Sequence, residues 1–183
     1  MTRITHTLAY GLVNKDLRVE YLFTLDTDPN SKFQTIKQNP NGSYRIRPSF
    51  ALSISEGFEK DHIFIPSNKY WQFIDILSRS VNLISENLYD LFPNIGRPEF
   101  DIDTKALEIF RTEKALSVGG FSILPCVYVN ENSECIASIR IQTAKGESLR
   151  IPIDDAKMIV RMLSHFDPIG YSLTNLSMLG KLT

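Results

Sequence analysis

Cysteine, histidine and tryptophan are scarce in this chain of 183 residues, which holds two, three and one of them. Cys126 and Cys135 are too few for a disulfide framework and badly spaced for a zinc site. Each falls in a stretch that reads as strand, so both are expected as small buried hydrophobes in a reducing compartment. His6, His62 and His165 share no spacing that would ligate a metal or supply a general base. No run approaches the roughly 20 apolar residues that span a bilayer. "MTRITHTLAYGLVNKD" has neither a long apolar core nor a small-residue cleavage pattern. The expectation is therefore a protein with no membrane association, placed in the cytoplasm, or in the host cytoplasm if the protein is viral. "VGGF" lacks the Lys and Ser/Thr that complete a phosphate-cradling loop. Asp26 and Asp28, like Asp101 and Asp103, sit where turns use aspartate for local hydrogen bonds. Asp154 and Asp155 suit the cap and first turn of a helix. Nothing here assembles a catalytic constellation, so no catalytic residue, metal or cofactor is expected and the chain is read as a non-enzyme.

Charge of one sign is also missing. The formal net charge is −1, whereas a protein that wraps nucleic acid over its whole surface is usually basic. A polyanion-binding function would have to concentrate its cations on one face.

What the chain does contain is period. "LRVEYLFTL", from Leu17 to Leu25, alternates, as a half-buried strand does. "DTDPNS" and "QNPNG" are turns, and "KFQTIK" between them is a short strand candidate. In "SYRIRPSFALSIS", Tyr44, Ile46, Phe50, Leu52 and Ile54 share one face, and Arg45, Arg47, Ser49, Ser53 and Ser55 the other. Pro48 marks an edge strand or a bulge there. "HIFI" is a fourth strand, ended by Pro66. Asn68 is the candidate cap of a helix carrying Tyr70, Phe73, Ile74, Leu77, Val81, Ile84 and Leu88 on one stripe and stopping before Pro93. "FPNIGRPEFDID" reads as a linker. "KALSVGGFSILPCVYVN" reads as one or two strands around Gly119 and Gly120, and "CIASIRIQT" and "SLRI" follow as strands, then a helix with Ala156, Ile159, Val160 and Leu163, which ends near Asp167 and Pro168. "IGYSLTNLSMLGKLT" is a tail that reads as a further helix or turn.

The order strand, Ile-Pro, polar cap and amphipathic helix thus occurs twice. "IFIPSNKYWQFIDILSRS" and "LRIPIDDAKMIVRMLSHF" are offset by 152 − 66 = 86 residues, with four identities: Ile65/Ile151, Pro66/Pro152, Leu77/Leu163 and Ser78/Ser164. The reading is an α+β fold of two repeated β-β-β-β-α units, each a curved antiparallel sheet followed by a helix, forming a pseudo-dimer. Residues 1–92 hold the first unit with an N-terminal extension, 93–104 the linker, and 105–183 the second unit with a short tail. One α+β domain with two similar corners is the alternative.

One stretch stands out electrostatically. From Ser31 to Phe50 there are four cations, Lys32, Lys37, Arg45 and Arg47, and no acid. Phe33, Tyr44 and Phe50 interleave with them. Cations that neutralise phosphate and release counterions, beside aromatics on which unpaired bases stack, make a platform for single-stranded nucleic acid. Strand parity puts Tyr44 and Phe50 on the apolar face, so core packing competes with stacking for them. In the second half Arg140, Lys145 and Arg150 offer a smaller basic set. Trp71 begins the first helix, where a packing role at the helix–sheet junction competes with a ligand or interface contact.

"IFIPSNKYWQFIDIL" after four strands resembles one repeat of the Whirly and positive-cofactor transcriptional coactivator superfamily. Ile63, Ile65, Asn68 and Trp71 match its strand-to-helix junction. Leu149, Ile151 and Asp154 match it in the second half, where Lys157 replaces the aromatic. The resemblance covers about residues 17–92 and 105–166. It implies binding of single-stranded DNA, sometimes RNA, on the sheet surfaces, and self-association through helices. The expected function is then largely sequence-independent single-strand binding in replication, recombination or transcription. Lys32, Phe33, Lys37, Tyr44, Arg45, Arg47, Arg140, Lys145 and Arg150 would form the site. The rival is an assembly subunit, of viral or transcription-accessory type, whose sheets and helices contact protein.

Overall fold

The structure is a computed structural model that describes residues 3–12, 17–26, 36–42, 44–46, 49–56, 62–93, 95, 108–130 and 134–166. It is a mixed α+β fold with antiparallel sheets and two helices.

The first half contributes β1 (Arg3–Leu12), β2 (Leu17–Asp26), β3 (Ile36–Gln38), β4 (Tyr44–Ile46), β5 (Ser49–Glu56) and β6 (His62–Pro66). Four of them form an antiparallel sheet in the order β1-β2-β5-β6. The alternation of β2 does what its period demands: Leu17 and Val19 are buried, with Ile54 of β5 and Ile63 and Ile65 of β6. The strand expected from Ser43 to Ser55 is divided. Pro48 falls between β4 and β5, and β4 leaves the sheet to pair with β3 alone. The fourth strand of this sheet is β1, from the region read as an N-terminal extension; of "KFQTIK" only Ile36 and Lys37 lie within the described residues, in β3, which pairs with β4. A register shift between Thr7 and Ala9 interrupts the β1 ladder.

A 3-10 turn (Ser67–Lys69) leads into α1 (Tyr70–Leu91). The residue at the cap position is Lys69, with no side-chain cap hydrogen bond, so the expected Asn68 cap is not used. Non-helical backbone at Asn87 kinks the last turn, where its side-chain amide donates to the Leu83 carbonyl at 3.1 Å. The stripe from Tyr70 to Leu91 is buried, as its helical spacing requires. The last turn of α1 carries no cation. Arg111 supplies one from elsewhere, donating through Nε to the Leu91 carbonyl with its guanidinium over Phe92.

The second half contains β7 (Glu108–Phe110), a 3-10 turn (Thr112–Lys114), β8 (Leu116–Val118), β9 (Phe121–Val129), β10 (Cys135–Thr143), β11 (Ser148–Pro152) and α2 (Ile153–Ser164). Its sheet runs β11-β10-β9, and both β7 and β8 pair with the free side of β9. Pro125 explains why that edge is split in two. The Pro125 carbonyl accepts from Arg111 on the β7/β8 side, and the N–H that proline lacks would face the same way. The edge strand therefore breaks opposite Pro125 and resumes at Leu116.

The two halves share one core. Sheet residues Ile54, Ile63, Ile123, Ile139 and Ile151 belong to the same buried cluster as α1 and α2. α1 packs against α2 and against β8, β9 and β10, and also touches β6. Phe73 of α1 meets Phe121 of β9 edge to face at 5.7 Å, and the buried Tyr70 hydroxyl donates to the Leu163 carbonyl at 2.8 Å. The expected linker lies mostly outside the described residues, as does the tail after Phe166. No described helix is long and apolar enough to cross a membrane.

Candidate nucleic-acid interface

Within the acid-free stretch, β3 and β4 pair as a two-stranded ribbon. Gly42, at φ +83°, allows the tight return between β3 and β4, and its N–H donates to the Asn39 carbonyl at 3.0 Å. The register sets Lys37 opposite Arg45 and Gln38 opposite Tyr44. Two of the expected cations are thus brought together across one ladder position. Like charges directly opposite on a strand pair are unfavourable unless something neutralises them. Lys32, Phe33 and Arg47 lie outside the described residues, as do the side chains of Lys37, Tyr44, Arg45 and Phe50.

The second sheet holds the other set. Arg140 and Arg150 are also direct partners, on β10 and β11. Ile139, Ile141, Leu149 and Ile151 point to the core, so the two arginines share the opposite face. Here the charges are already engaged. Arg140 grips Glu108 with both ends of its guanidinium fork: Nε to Oε1 at 3.2 Å, and Nη2 to Oε2. Its Nη1 donates to Ser148 Oγ at 2.9 Å, and the guanidinium lies 5.4 Å from the Phe110 ring centre. Arg150 places its guanidinium carbon 3.7 Å from the centre of the Tyr128 ring on β9, and Tyr128 is the ladder partner of Glu108. Lys145 is exposed on the turn between β10 and β11 and stands apart from both.

Beneath the Arg140–Glu108 pair lies Cys126, fully buried. Burial pushes its thiol far above the ordinary range; the charge and hydrogen bond of Glu108 add to this, while Arg140 and Arg150 oppose it. A thiol so held stays protonated and is not a nucleophile. Cys135 is a half-buried free thiol. Among the described residues no group of three or more His, Cys, Asp or Glu converges as a metal site would require. Asp154 and Asp155 lie in the first turn of α2, and Asp154 pairs with Lys157 at 3.1 Å. Asp28, Asp101 and Asp103 lie outside the described residues.

Trp71 is half exposed and meets the Tyr70 ring edge to face at 5.1 Å. Phe64, Tyr89 and Met158 are likewise exposed large apolar side chains. Sequence reasoning did not find Glu108, which is 32 positions from Arg140. No local pattern pairs them; only the antiparallel path of β7 and β10 on either side of β9 does.

Comparison with protein-family models, curated proteins and solved structures finds no match.

Proposed function

We propose that the chain binds single-stranded nucleic acid, DNA or RNA, through the β3–β4 ribbon, largely without regard to sequence. The observation that carries this is the register of Lys37 opposite Arg45 within 20 residues, Ser31 to Phe50, that hold four cations and no acid. A phosphate backbone supplies the counter-charge that the stretch itself lacks. Among the described residues the ribbon pairs with neither large sheet, so it can track a strand while the shared core stays fixed. Arg150 and Lys145 extend the path over the second half, whereas Arg140 contributes little because Glu108 holds it. Phe33, Tyr44 and Phe50 are the candidates for base stacking. The protein acts by binding, without catalysis, in replication, recombination or transcription.

The same reading takes the two halves as repeats of one β4-α unit. β6 lies against β11 and α1 against α2, the pairs that the 86-residue offset equates. In a fused pseudo-dimer equivalent elements meet across the axis. Further self-association would use the exposed side of α1.

The test is anisotropy of a labelled oligo-dT at low and moderate salt, with duplex of equal length as control. Tight single-strand binding, weaker duplex binding and a steep loss with salt are expected. Absence of binding at low salt would falsify the reading. The second reading, an assembly subunit, is favoured by the neutralised Arg140 and by the exposed Trp71 and Tyr89. A stable oligomer that carries no nucleic acid after nuclease treatment would support it.

A further inference from the structure

Ser138 is fully buried on the outer face of the second sheet, and its hydroxyl has no hydrogen-bond partner among the described residues. Such a group costs stability, because it has lost its water and gained no other partner. Ser138 sits on β10 between β9 and β11, with Cys126 and Pro152 as its ladder partners. Tyr128 lies two residues beyond Cys126, and Arg150 two residues before Pro152. The line from Tyr128 to Arg150 therefore crosses β10 at Ser138, and the contact between ring and guanidinium closes over the unpaired hydroxyl. The guanidinium lies flat on the ring. With its carbon 3.7 Å from the ring centre, a nitrogen aimed straight at the ring would stand about 1.3 Å closer and clash. Arg150 thus occupies the face on which another flat group could stack.

This cover is lightly held. Arg150 and Tyr128 are only half-buried, and among the described residues the guanidinium of Arg150 has no hydrogen bond or ion pair. One cation–π contact at such a site is a small interaction. The neighbouring cover is held more firmly: Arg140 is tied to Glu108 and Ser148 over Cys126. When Arg150 swings aside, three groups are uncovered together: an aromatic face, a buried hydroxyl and a cation on a long stem. The set suits a nucleotide unit. A base stacks on Tyr128. Ser138 pairs with an edge of that base, whichever base it is, because a hydroxyl both donates and accepts. Arg150 takes the adjacent phosphate through its fork of N–H groups.

We infer that Tyr128, Ser138 and Arg150 form a nucleotide-binding subsite on the second sheet, closed in the free protein by Arg150 lying on Tyr128. A nucleic-acid strand and a free nucleotide offer the same unit, and the subsite rests on the single-strand reading only for the first of these sources.

The test uses the full chain, titrated at constant ionic strength with thymidine monophosphate, with oligo-dT and with an abasic strand of equal length. By NMR the Ser138 and Tyr128 resonances of the wild type should shift and saturate with thymidine monophosphate. Ser138→Ala removes the unpaired hydroxyl, so its Tm should rise by about 2–4 °C. Its affinity for thymidine monophosphate and for oligo-dT should nonetheless fall about fivefold, the loss of one hydrogen bond, with affinity for the abasic strand unchanged. A higher Tm with all affinities equal would make Ser138 structural only and overturn the subsite. Unmoved wild-type resonances at millimolar nucleotide overturn it too, and that titration decides alone should the variant not fold. Nucleotide binding without oligo-dT binding keeps the subsite and removes the single-strand function. Oligo-dT binding with these resonances unmoved removes the subsite and keeps the ribbon.

Discussion

Two pairs of cations face each other across a strand pair in this protein: Lys37 and Arg45 in the ribbon, Arg140 and Arg150 in the second sheet. In the sheet each arginine has partners within the fold, one Glu108 and Ser148, the other the Tyr128 ring. In the ribbon the surrounding stretch from Ser31 to Phe50 contains no carboxylate. The same local arrangement therefore has two energetic meanings. A cation pair resolved inside the fold contributes to stability; one with no acid in its own segment is a demand that a ligand can meet.

The largest effect expected from this contrast is on stability in the sheet. Glu108→Gln leaves Arg140 half-buried without its counter-ion and should cost about 3 kcal/mol in urea unfolding. A midpoint within error of the parent would mean that the pair does not resolve the Arg140 charge. Reversal of Lys37 and Arg45 to Glu should do the opposite. Stability should change by no more than ~0.5 kcal/mol, because among the described residues the ribbon pairs with neither large sheet. Oligo-dT affinity should fall about 30-fold or more, and the slope of log K against log salt should become shallower by ~1.4, two phosphate contacts at about 0.7 each. Equal losses of stability and binding would erase the distinction between the two pairs.

Cys126 sharpens the comparison from below. Its thiol pKa is raised in the fold, so the stability this confers is fully present below the unfolded thiol value, about 8.5, and is lost as pH rises past it. Wild type should lose up to ~1.4 kcal/mol per pH unit above that point relative to Cys126→Val, whose profile lacks this term. Identical alkaline profiles would show that water reaches the floor of the Arg140–Glu108 pair. The smallest effect is Arg150→Ala, expected to cost ~0.5–1 kcal/mol through its contact with Tyr128. If Arg150 also lies on the nucleic-acid path, oligo-dT binding should weaken severalfold.

Helix periodicity was strong enough in the sequence to show both helices, the buried stripe of α1 and its stop before Pro93. Turn chemistry showed the Asn39–Gly42 return, whereas the stretch around Gly119 and Gly120 read as one or two strands and the structure divides it into β8 and β9. Edges were less legible. β1 alternates over Ile4, His6, Leu8, Tyr10 and Leu12, but a register shift between Thr7 and Ala9 and a histidine in the apolar series weaken the signal. β7 has three residues, too few for any period. "KFQTIK" has strand-like composition, yet composition does not say which partner a strand will take, and among the described residues β3 pairs with β4. The candidate site divides in the same way. Cation density along the chain was visible, whereas the neutralisation of Arg140 depends on a contact between residues 32 positions apart.

The hydrogen bond from Tyr70 to Leu163 spans 93 residues. α1 is made early but is covered by a sheet and a helix that are made late. At about 5–20 residues per second, its apolar stripe waits roughly 5–20 s on the ribosome for the elements that cover it. During synthesis the longest helix of the described residues is thus a client for whatever shields hydrophobic surface in the cell, and codon-level slowing between residues 92 and 163 would lengthen that dependence.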